Sequence, residues 1–332
     1  MGGKHRIFGS EMSPYSVKVR SYFRYKGIAH EWVVRGPANQ AEFAKHAKLP
    51  LIPLVVTPGE KGLQDSTPIL EAIEESFPQP SIHPSEPVAA FVSALLEEWG
   101  DEWGNKWMFH LRWARPADQD SAAERIARDM TGGASGDALV RAAGAVKERM
   151  VPRVWFVGSN AETAPQIEQS YQDTLALLEA HLTSRPYLLG ARPGFADFGV
   201  WGQLYECWTD PTAGGWLRER APHVATYVER MLDPKSHGAF EPFDALAPTL
   251  EPLLTQQVGA LFLPWSDANG RAIASGAEEF SVELASGKWR QKPQKYHARS
   301  LAALRARHAA ARSAELDAVL TRTGCARWLL SV

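Results

Sequence analysis

Three short segments near the start of the chain combine hydroxyl, amide or carboxyl side chains with a predicted helix or strand start. The first is Ser13-Pro14-Tyr15-Ser16. Serine before proline is favourable helix-start chemistry, so the simplest interpretation of Ser13 is a helix cap. The alternative is chemical, because a helix N-terminus stabilises an anion and a serine hydroxyl can donate to a thiolate held there. A free thiol has a pKa of about 8.5, and lowering it by one unit takes roughly 1.4 kcal/mol.

The second and third segments are Ile52-Pro53 and Gln64-Asp65-Ser66. Proline at the start of a β-branched strand is typical of an edge strand or a cis turn, and a cis bond would present the backbone of Ile52 to an extended peptide ligand. Ser66 can cap the helix that follows. Alternatively, its hydroxyl and the helix-start amides bind a carboxylate while Asp65 binds an ammonium group. Together these groups would hold a free amino-acid end.

Periodicity places all three segments in one small α/β unit, which we assign to residues 1–82. Apolar and β-branched runs predict strands at residues 5–9, 30–34, 52–56 and 63–64, and helical patterns cover residues 14–26, 41–47 and 68–77. The order β-α-β-α-β-β-α in this length is typical of a compact α/β domain.

Prolines then mark a linker, and residues 88–235 follow as an all-helical domain. The predicted helices cover residues 89–111, 137–150, 165–182, 195–208 and 222–232. Another helix is predicted to begin at the capping-box pattern Ser121-Ala122-Ala123-Glu124. Residues 236–332 form a C-terminal extension, with predicted helices at residues 250–275 and 300–323 and a hairpin at residues 279–289.

Composition narrows the class of protein. The formal net charge is −2, which gives no global attraction to nucleic acid or to an acidic membrane. The two cysteines, Cys207 and Cys325, are far apart, which excludes a disulfide framework and a cysteine-based zinc site and suits a reducing compartment. No apolar run approaches the roughly 20 residues of a membrane helix. We therefore expect a cytoplasmic protein that binds neither metal nor membrane.

In their order, the three segments resemble the glutathione S-transferase superfamily, in which a thioredoxin-like domain precedes an all-helical domain. A fourth match is the run from Pro193 to Phe198, which contains Gly194 and Asp197 and is similar to the segment that caps a buried helix in this family. The resemblance covers residues 5–235. The fold it implies is an α/β thioredoxin-like N-terminal domain, an all-α glutathione S-transferase C-terminal domain and the C-terminal extension of helices and a hairpin.

The resemblance also implies roles for individual residues and a co-substrate, glutathione. Ser13 would activate the glutathione thiol. Ile52, beside cis-Pro53, would bind the cysteinyl part of the tripeptide. The γ-glutamyl end would be bound by Gln64, Asp65 and Ser66. Asp197 would cap its helix. A homodimer is the usual assembly of the superfamily.

One departure from the family pattern concerns the glycyl end of glutathione. Many members have a Gly-Lys-Val-Pro run whose lysine helps to hold the glycyl carboxylate, but here the run is Pro50-Leu51-Ile52-Pro53. Leu51 therefore replaces the lysine. Arg35, Lys48 or a residue of the extension could take its place.

The partner of glutathione is expected to be a small hydrophobic electrophile. Trp99, Trp103 and Trp107 recur at four-residue steps, followed by His110, on the helix that borders the electrophile site in this family. Such stripes are more often core, but the richness in tryptophan favours an aromatic substrate. We assign the second-substrate pocket to four residues: Tyr15, Trp103, Trp107 and His110.

The end of the chain is basic. Residues 284–332 hold ten Lys or Arg against Glu315 and Asp317, a net charge of +8, so the rest of the chain carries −10. Aromatic residues between the basic ones fit a nucleic-acid interface. The near-neutral total favours the other interpretation, that the extension packs on the acidic body of its own chain or of a dimer mate.

Three functions remain open. The first is a glutathione-dependent transferase that conjugates an electrophile, cleaves a β-aryl ether or removes a halogen. The second is a glutathione S-transferase-like protein that binds a ligand or partner without catalysis, which the Leu51 departure motivates. The third, a glutaredoxin-like reductase, is the weakest, because Ser13 and Ser16 stand where a dithiol motif has cysteines and a hydroxyl forms no disulfide.

Overall fold

The computed structural model describes residues 3–330. The N-terminal domain is a four-stranded sheet in the order β2-β1-β3-β4, with β1 parallel to β2 and the other pairs antiparallel. The strands are β1 His5–Gly9, β2 His30–Val34, β3 Leu54–Val56 and β4 Gly62–Gln64. The helices are α1 Pro14–Tyr25, α2 Gln40–His46 and α3 Ser66–Ser76. The predicted element order is therefore observed, with β3 and α3 each beginning two residues away from the expected position.

Helices make up the second domain. They are α4 Pro87–Trp99, α5 Asn105–Ala114, α6 Pro116–Met130, α7 Gly136–Met150, α8 Ala164–Leu182, α9 Phe195–Thr209, α10 Pro211–Arg220 and α11 Pro222–Arg230. A π-helical segment, Gly100–Gly104, joins α4 to α5, and a 3-10 segment, Val151–Val157, precedes α8.

One prediction about this domain was wrong, and one helix was missed. Ser121 does not begin a helix, because α6 already starts at Pro116, whose fixed backbone angle suits the first helical position. The serine-to-glutamate pattern is a coincidence inside that helix. The helix α10, which also begins at a proline, Pro211, was not predicted.

The C-terminal extension is folded onto the body. It contains α12 Phe243–Leu253, a π-helical segment Leu254–Phe262, α13 Leu263–Ser275, the hairpin β5 Phe280–Leu284 with β6 Gly287–Gln291, a 3-10 turn Lys295–Arg299, α14 Ser300–Ala311, α15 Ala314–Arg322 and α16 Ala326–Leu329. The predicted hairpin is present. The predicted single helix at residues 300–323 is two helices, because Ser313 adopts an extended backbone and its side chain caps α15.

The two domains meet where α1 packs on α9. A Cβ atom on Gly202 of α9 would lie 2.6 Å from the carbonyl oxygen of Pro14, so only glycine allows this approach. At the other end of α1, the hydroxyl of Ser21 donates to the carbonyl of Met231, 2.6 Å away. The start of α1 is thus fixed against the helical domain.

Tryptophans fill the centre of the helical domain. The indole nitrogens of Trp103 and Trp107 both donate to the hydroxyl of Ser170, at 2.9 and 3.0 Å. Trp103 also contacts Trp265 and Trp289 of the extension, with ring centroids 6.0 and 5.4 Å apart. The stripe is core, and the extension shares that core.

Among residues 3–330, no helix is both long and apolar enough to cross a membrane.

A buried lysine, Lys106, lies inside this tryptophan core. Its ammonium group is 3.7 Å from the ring centre of Trp265 and 5.4 Å from that of Trp289, and it donates to the carbonyl of Val157 at 3.2 Å. No carboxylate within residues 3–330 pairs with it, and burial lowers its pKa well below the usual value. Aromatic faces attract the cation, but they replace only part of its hydration.

We expect Lys106→Met to stabilise the protein at pH 7, by about 1 kcal/mol or more, because methionine fills the same space without a desolvated charge. The pKa of Lys106 is lowered in the fold, so the wild type gains stability as the pH rises towards 10 and the variant does not. Thermal unfolding at pH 7 and pH 9.5 measures both effects. A lower Tm for the variant at pH 7 would show that the tryptophan rings stabilise the ammonium group by more than its lost hydration costs.

The capping segment of α9 gives a second prediction. The carboxylate of Asp197 accepts hydrogen bonds from the amides of Leu188 and Gly194, at 2.9 and 2.7 Å. All three residues are buried. Asp197→Ala leaves two amides without an acceptor. We expect a loss of roughly 2–4 kcal/mol in the free energy of unfolding, measured in urea. The exposed Asp233→Ala serves as control, with a change below about 1 kcal/mol.

Candidate active site

Three serines lie in the loop between β1 and α1 and in the first turn of α1, and their surroundings differ. The hydroxyl of Ser16 is fully buried and has no hydrogen-bond partner among residues 3–330. The hydroxyl of Ser10 accepts from the amide of Met12 and donates to the carboxylate of Asp129, 3.4 Å away. Ser13 is half-buried at the N-terminus of α1, where its oxygen accepts from the amide of Ser16, at 3.3 Å, and has no other partner among residues 3–330. The Ser13 hydroxyl proton is therefore available to a ligand.

Three helices fix the position of this loop. Glu11 forms a two-pronged ion pair with Arg20 of α1, and the carbonyl of Met12 accepts from Arg112 of α5 at 3.1 Å. The Ser10–Asp129 contact adds α6. Ser13 is thus oriented from both domains.

Arg112 is the buried link between that loop and α9. It donates to the carboxylates of Glu206, at 2.6 Å, and Asp210, at 2.8 Å. Burial alone would lower the pKa of Arg112, but the two carboxylates outweigh it and raise the pKa. Burial also acts on Glu206, whose pKa it raises to about 7, and the positive charge of Arg112 opposes that shift.

The second predicted segment lies at the mouth of β3. The bond between Ile52 and Pro53 is cis, and strand pairing begins only at Leu54. Ile52 therefore lies outside the paired part of the sheet. Arg35 approaches the same loop, since its guanidinium donates to the carbonyl of Pro50 at 2.8 Å. Leu51 is 50% exposed.

Gln64 binds the backbone of the loop before β3. Its side-chain oxygen accepts from the amides of Lys48 and Leu49, at 2.7 and 3.0 Å, and its nitrogen donates to the carbonyls of Leu49 and Leu51, at 2.8 and 2.9 Å. All four contacts hold the loop that leads to Ile52. Gln64 thus shapes the site through the loop backbone.

Asp65 stands at the start of α3 with a left-handed backbone, φ 74°. Non-glycine residues rarely adopt this conformation, and such outliers cluster at ligand sites. Its side chain is exposed to solvent. The protein packed around it raises the pKa of Asp65, and the positive charge of Lys18 opposes the shift.

Beneath Asp65 lies a buried polar cluster, which we call the Lys18 cluster: Lys18, Ser66, Thr67, Glu97 and Asp101. The ammonium group of Lys18 lies 2.5 Å from a carboxylate oxygen of both Glu97 and Asp101, and it donates to the hydroxyls of Ser66 and Thr67 at 3.3 and 3.1 Å. Ser66 is 2% exposed and faces this cluster. Its hydroxyl is engaged there rather than in the open groove.

The charges of the cluster do not balance. Two carboxylates face one ammonium group, and Asp65 lies nearby. Burial raises the pKa of Asp101 to about 7, against the opposing pull of Lys18. Although burial opposes it, the two carboxylates raise the pKa of Lys18 above its ordinary value. The excess negative charge would attract an ammonium group at the start of α3.

Three of the four residues assigned to the second-substrate pocket are buried. Trp103, Trp107 and His110 are each less than 5% exposed. His110 bonds to Ser159 and Glu168, at 2.8 and 3.1 Å. Tyr15 donates to the backbone carbonyl of Asp101 at 3.1 Å and seals the contact between α1 and the π-helical segment.

Sequence reasoning missed the Lys18 cluster and the Arg112 network. A signal was present, because Glu97 and Asp101 are spaced i, i+4 within the predicted helix at residues 89–111 and two buried carboxylates require a cation. Nothing in the sequence says which of the 36 basic residues supplies it. Among residues 3–330, no group of three or more His, Cys, Asp or Glu side chains is arranged to hold a metal ion.

Comparison with known families fits this architecture. The family model for the glutathione S-transferase N-terminal domain matches residues 7–81, and the model for the C-terminal domain matches residues 136–230. The chain belongs to the glutathione S-transferase superfamily. The predicted fold is confirmed, from the thioredoxin-like domain with its small mixed sheet to the helical domain and the added C-terminal helices and hairpin. The search of curated proteins found no match.

Several solved structures are similar in fold. A glutathione S-transferase from Methylobacterium radiotolerans, in complex with glutathione sulfonate, is 20% identical, with a TM-score of 0.44, over 74% of this chain and 94% of that one. The beta-etherase LigF from Sphingobium sp. strain SYK-6 is 18% identical, with a TM-score of 0.48, over 75% and 100%. A Tau class enzyme from the mango Mangifera indica is 18% identical, with a TM-score of 0.41, over 76% and 100%. Likenesses this distant do not bear on the reaction.

The Lys18 cluster yields a stability prediction. Lys18→Met leaves Glu97 and Asp101 buried without a counter-ion, and we expect a loss of about 3–5 kcal/mol at pH 8. In the variant Asp101 loses the cation that opposes its raised pKa and takes up a proton more readily, so the loss should shrink as the pH falls to 5. Urea unfolding at the two pH values measures this. Lys45→Met, which removes an exposed ion pair with Glu60, is the control. Equal stability of Lys18→Met and wild type at pH 8 would contradict the assignment.

Proposed function

We propose that this protein is a glutathione-dependent transferase in which Ser13 activates the glutathione thiol. The observation that carries the proposal is the difference in exposure and hydrogen bonding among Ser10, Ser13 and Ser16. Only Ser13 lies half-open at the N-terminus of α1 with its proton uncommitted, whereas Ser10 is paired and Ser16 is buried. Family membership supports glutathione as the co-substrate.

In the proposed binding mode, glutathione lies across the ends of α1, β3 and α3. The backbone of Ile52, beside cis-Pro53, pairs with the cysteinyl part, which brings the sulfur to Ser13. Asp65 and the negative charge beneath it attract the γ-glutamyl ammonium group. Gln64 and Ser66 act indirectly, Gln64 by holding the loop before Ile52 and Ser66 by completing the Lys18 cluster.

Arg35 is the best placed substitute for the lysine that Leu51 replaces. Its guanidinium is anchored on the carbonyl of Pro50, and it stacks on the ring of Phe43, 4.2 Å away. A guanidinium can keep such a bond and still donate to a carboxylate, because it has five N–H groups. We therefore assign the glycyl carboxylate to Arg35.

The reaction proposed is nucleophilic substitution or addition by the thiolate. Glutathione loses its thiol proton to solvent, and the Ser13 hydroxyl donates to the resulting thiolate. The sulfur attacks an electrophilic carbon, a C–S bond forms, and a leaving group such as an aryloxide or halide departs with the bonding electrons. The substrate proposed is small, hydrophobic and aromatic. The homodimer and the cytoplasmic location stay predictions.

Removing the hydroxyl tests the role of Ser13. Ser13→Ala should raise the pKa of bound glutathione by about one unit and lower turnover of chlorodinitrobenzene at least about tenfold at pH 7. The thiolate is followed by its ultraviolet absorbance across a pH series. Ser16→Ala is the matched control, since it removes a buried hydroxyl that has no partner within residues 3–330. Unchanged turnover in Ser13→Ala would remove Ser13 from the mechanism.

Arg35 is tested by calorimetric titration. Arg35→Met should weaken glutathione binding about tenfold, because one charge-assisted hydrogen bond is lost. The ethyl ester of the glycyl carboxylate should bind wild type and variant alike. Lys48→Met is the comparison, and a loss there instead of in Arg35→Met would transfer the role to Lys48.

The same titration, combined with activity assays, distinguishes the proposed transferase from the second candidate function, a non-catalytic binding protein. The exposed Leu51 in place of the lysine is the observation that favours it. Measurable glutathione affinity without turnover on a broad panel of aryl halides, aryl ethers and epoxides would establish that alternative.

A further inference from the structure

The C-terminal extension reaches the region where the proposed glutathione site lies. In the 3-10 turn Lys295–Arg299, the buried ring of His297 contacts the carboxylate of Glu102. Just beyond the turn, the hydroxyl of Ser300 donates to Glu98 at 2.6 Å, and further along α14 Arg307 pairs with Glu71 of α3. The extension therefore runs from the π-helical segment along α4 to α3, the three elements that carry Asp101, Glu97 and Ser66.

Tyr296 is the exposed aromatic side chain of this turn. It is 52% exposed, in contrast to its neighbour His297, whose ring it meets edge-on at 5.6 Å. Within residues 3–330 its hydroxyl forms no hydrogen bond. Desolvation raises the pKa of Tyr296, and the carboxylates of Asp65 and Asp101 raise it further. Because the neighbouring His297 contacts Glu102, Tyr296 lies beside the π-helical segment that carries Asp101, and its phenol keeps its proton.

A γ-glutamyl end is a zwitterion, and the two charges need different partners. Asp65 and the Lys18 cluster favour the ammonium group. The carboxylate needs donors in a region rich in negative charge, but Lys18 is committed to two acids and the hydroxyl of Ser66 faces the same cluster. The donors left are the first amides of α3 and the hydroxyl of Tyr296.

We propose, on the basis of the function proposed above, that Tyr296 donates a hydrogen bond to the α-carboxylate of the γ-glutamyl group, so that the C-terminal extension forms one wall of the glutathione site. The extension then acts in substrate recognition as well as in folding. Tyr296 is a specificity-determining residue, and the thiol chemistry stays with Ser13.

Calorimetric titrations of the full-length protein test this. Tyr296→Phe keeps the ring and loses the donor, and it should weaken the binding of glutathione and of γ-glutamylcysteine equally, by about tenfold. Arg35→Met should weaken only glutathione, because γ-glutamylcysteine has no glycyl group. The two variants therefore report on opposite ends of the ligand.

The control is Lys295→Ala, an exposed neighbour in the same turn, which should bind both ligands as the wild type does. An unchanged affinity of Tyr296→Phe would overturn the role of Tyr296 and leave the proposed function standing. Equal losses in Lys295→Ala and Tyr296→Phe would also overturn it, since they would reflect a displaced turn. No binding of glutathione by the wild type, at several temperatures, would overturn both proposals.

Discussion

The salt bridges of Lys18 hold together the three helices on which the site depends. Lys18 belongs to α1, Ser66 and Thr67 to the start of α3, and Glu97 and Asp101 to α4 and the segment after it. One ammonium group therefore fixes the helix that presents Ser13 relative to the helix that begins beside Asp65. It also joins the N-terminal domain to the helical one. A buried charge is costly unless it is paired and hydrogen-bonded, and here four oxygens meet that requirement.

This arrangement makes the candidate site a product of both domains. The β1–α1 loop is short and polar, and by itself it would sample many conformations. Arg112 of α5 holds the carbonyl of Met12, and Asp129 of α6 meets Ser10. The position of Ser13 thus requires that the helical domain be folded and docked. A thioredoxin-like domain without its partner would keep the helix start and lose the orientation of the hydroxyl.

Much of the fold could be predicted from sequence, because local rules determine it. Strand β1 and helix α1 follow from periodicity, the start of α1 from Ser13 before Pro14, and the end of α1 from a glycine, Gly27, with φ +63°. The prediction failed where two local signals competed. At α6 the capping-box pattern of Ser121 lost to Pro116, which is better suited to the first helical position.

The side-chain roles at the site were harder to predict, because they depend on partners distant in sequence. Gln64 has the residue type expected of a ligand contact, but four backbone groups of the preceding loop engage it. Ser66 lies in the expected position, but its hydroxyl faces Lys18, 48 residues away in the chain. The tryptophan stripe was compatible with both a core and a pocket, although such stripes are more often core. The hydroxyl of Ser170, shared by Trp103 and Trp107, places those two rings in the core.

Acids of the same chain pair with basic residues at the end of the extension, as the near-neutral total charge indicated. Residues 284–332 carry a net charge of +8. Within them, Arg307 and Arg322 pair with acids of α3 and α12, and Arg305 pairs with Asp267 of α13. The hairpin of the extension also adds Trp289 to the core of the helical domain. A segment that shares the core cannot leave without exposing it, so residues 284–330 are part of the folded body. Whatever the extension contributes near Asp65 is therefore held in place by the same packing that stabilises the protein.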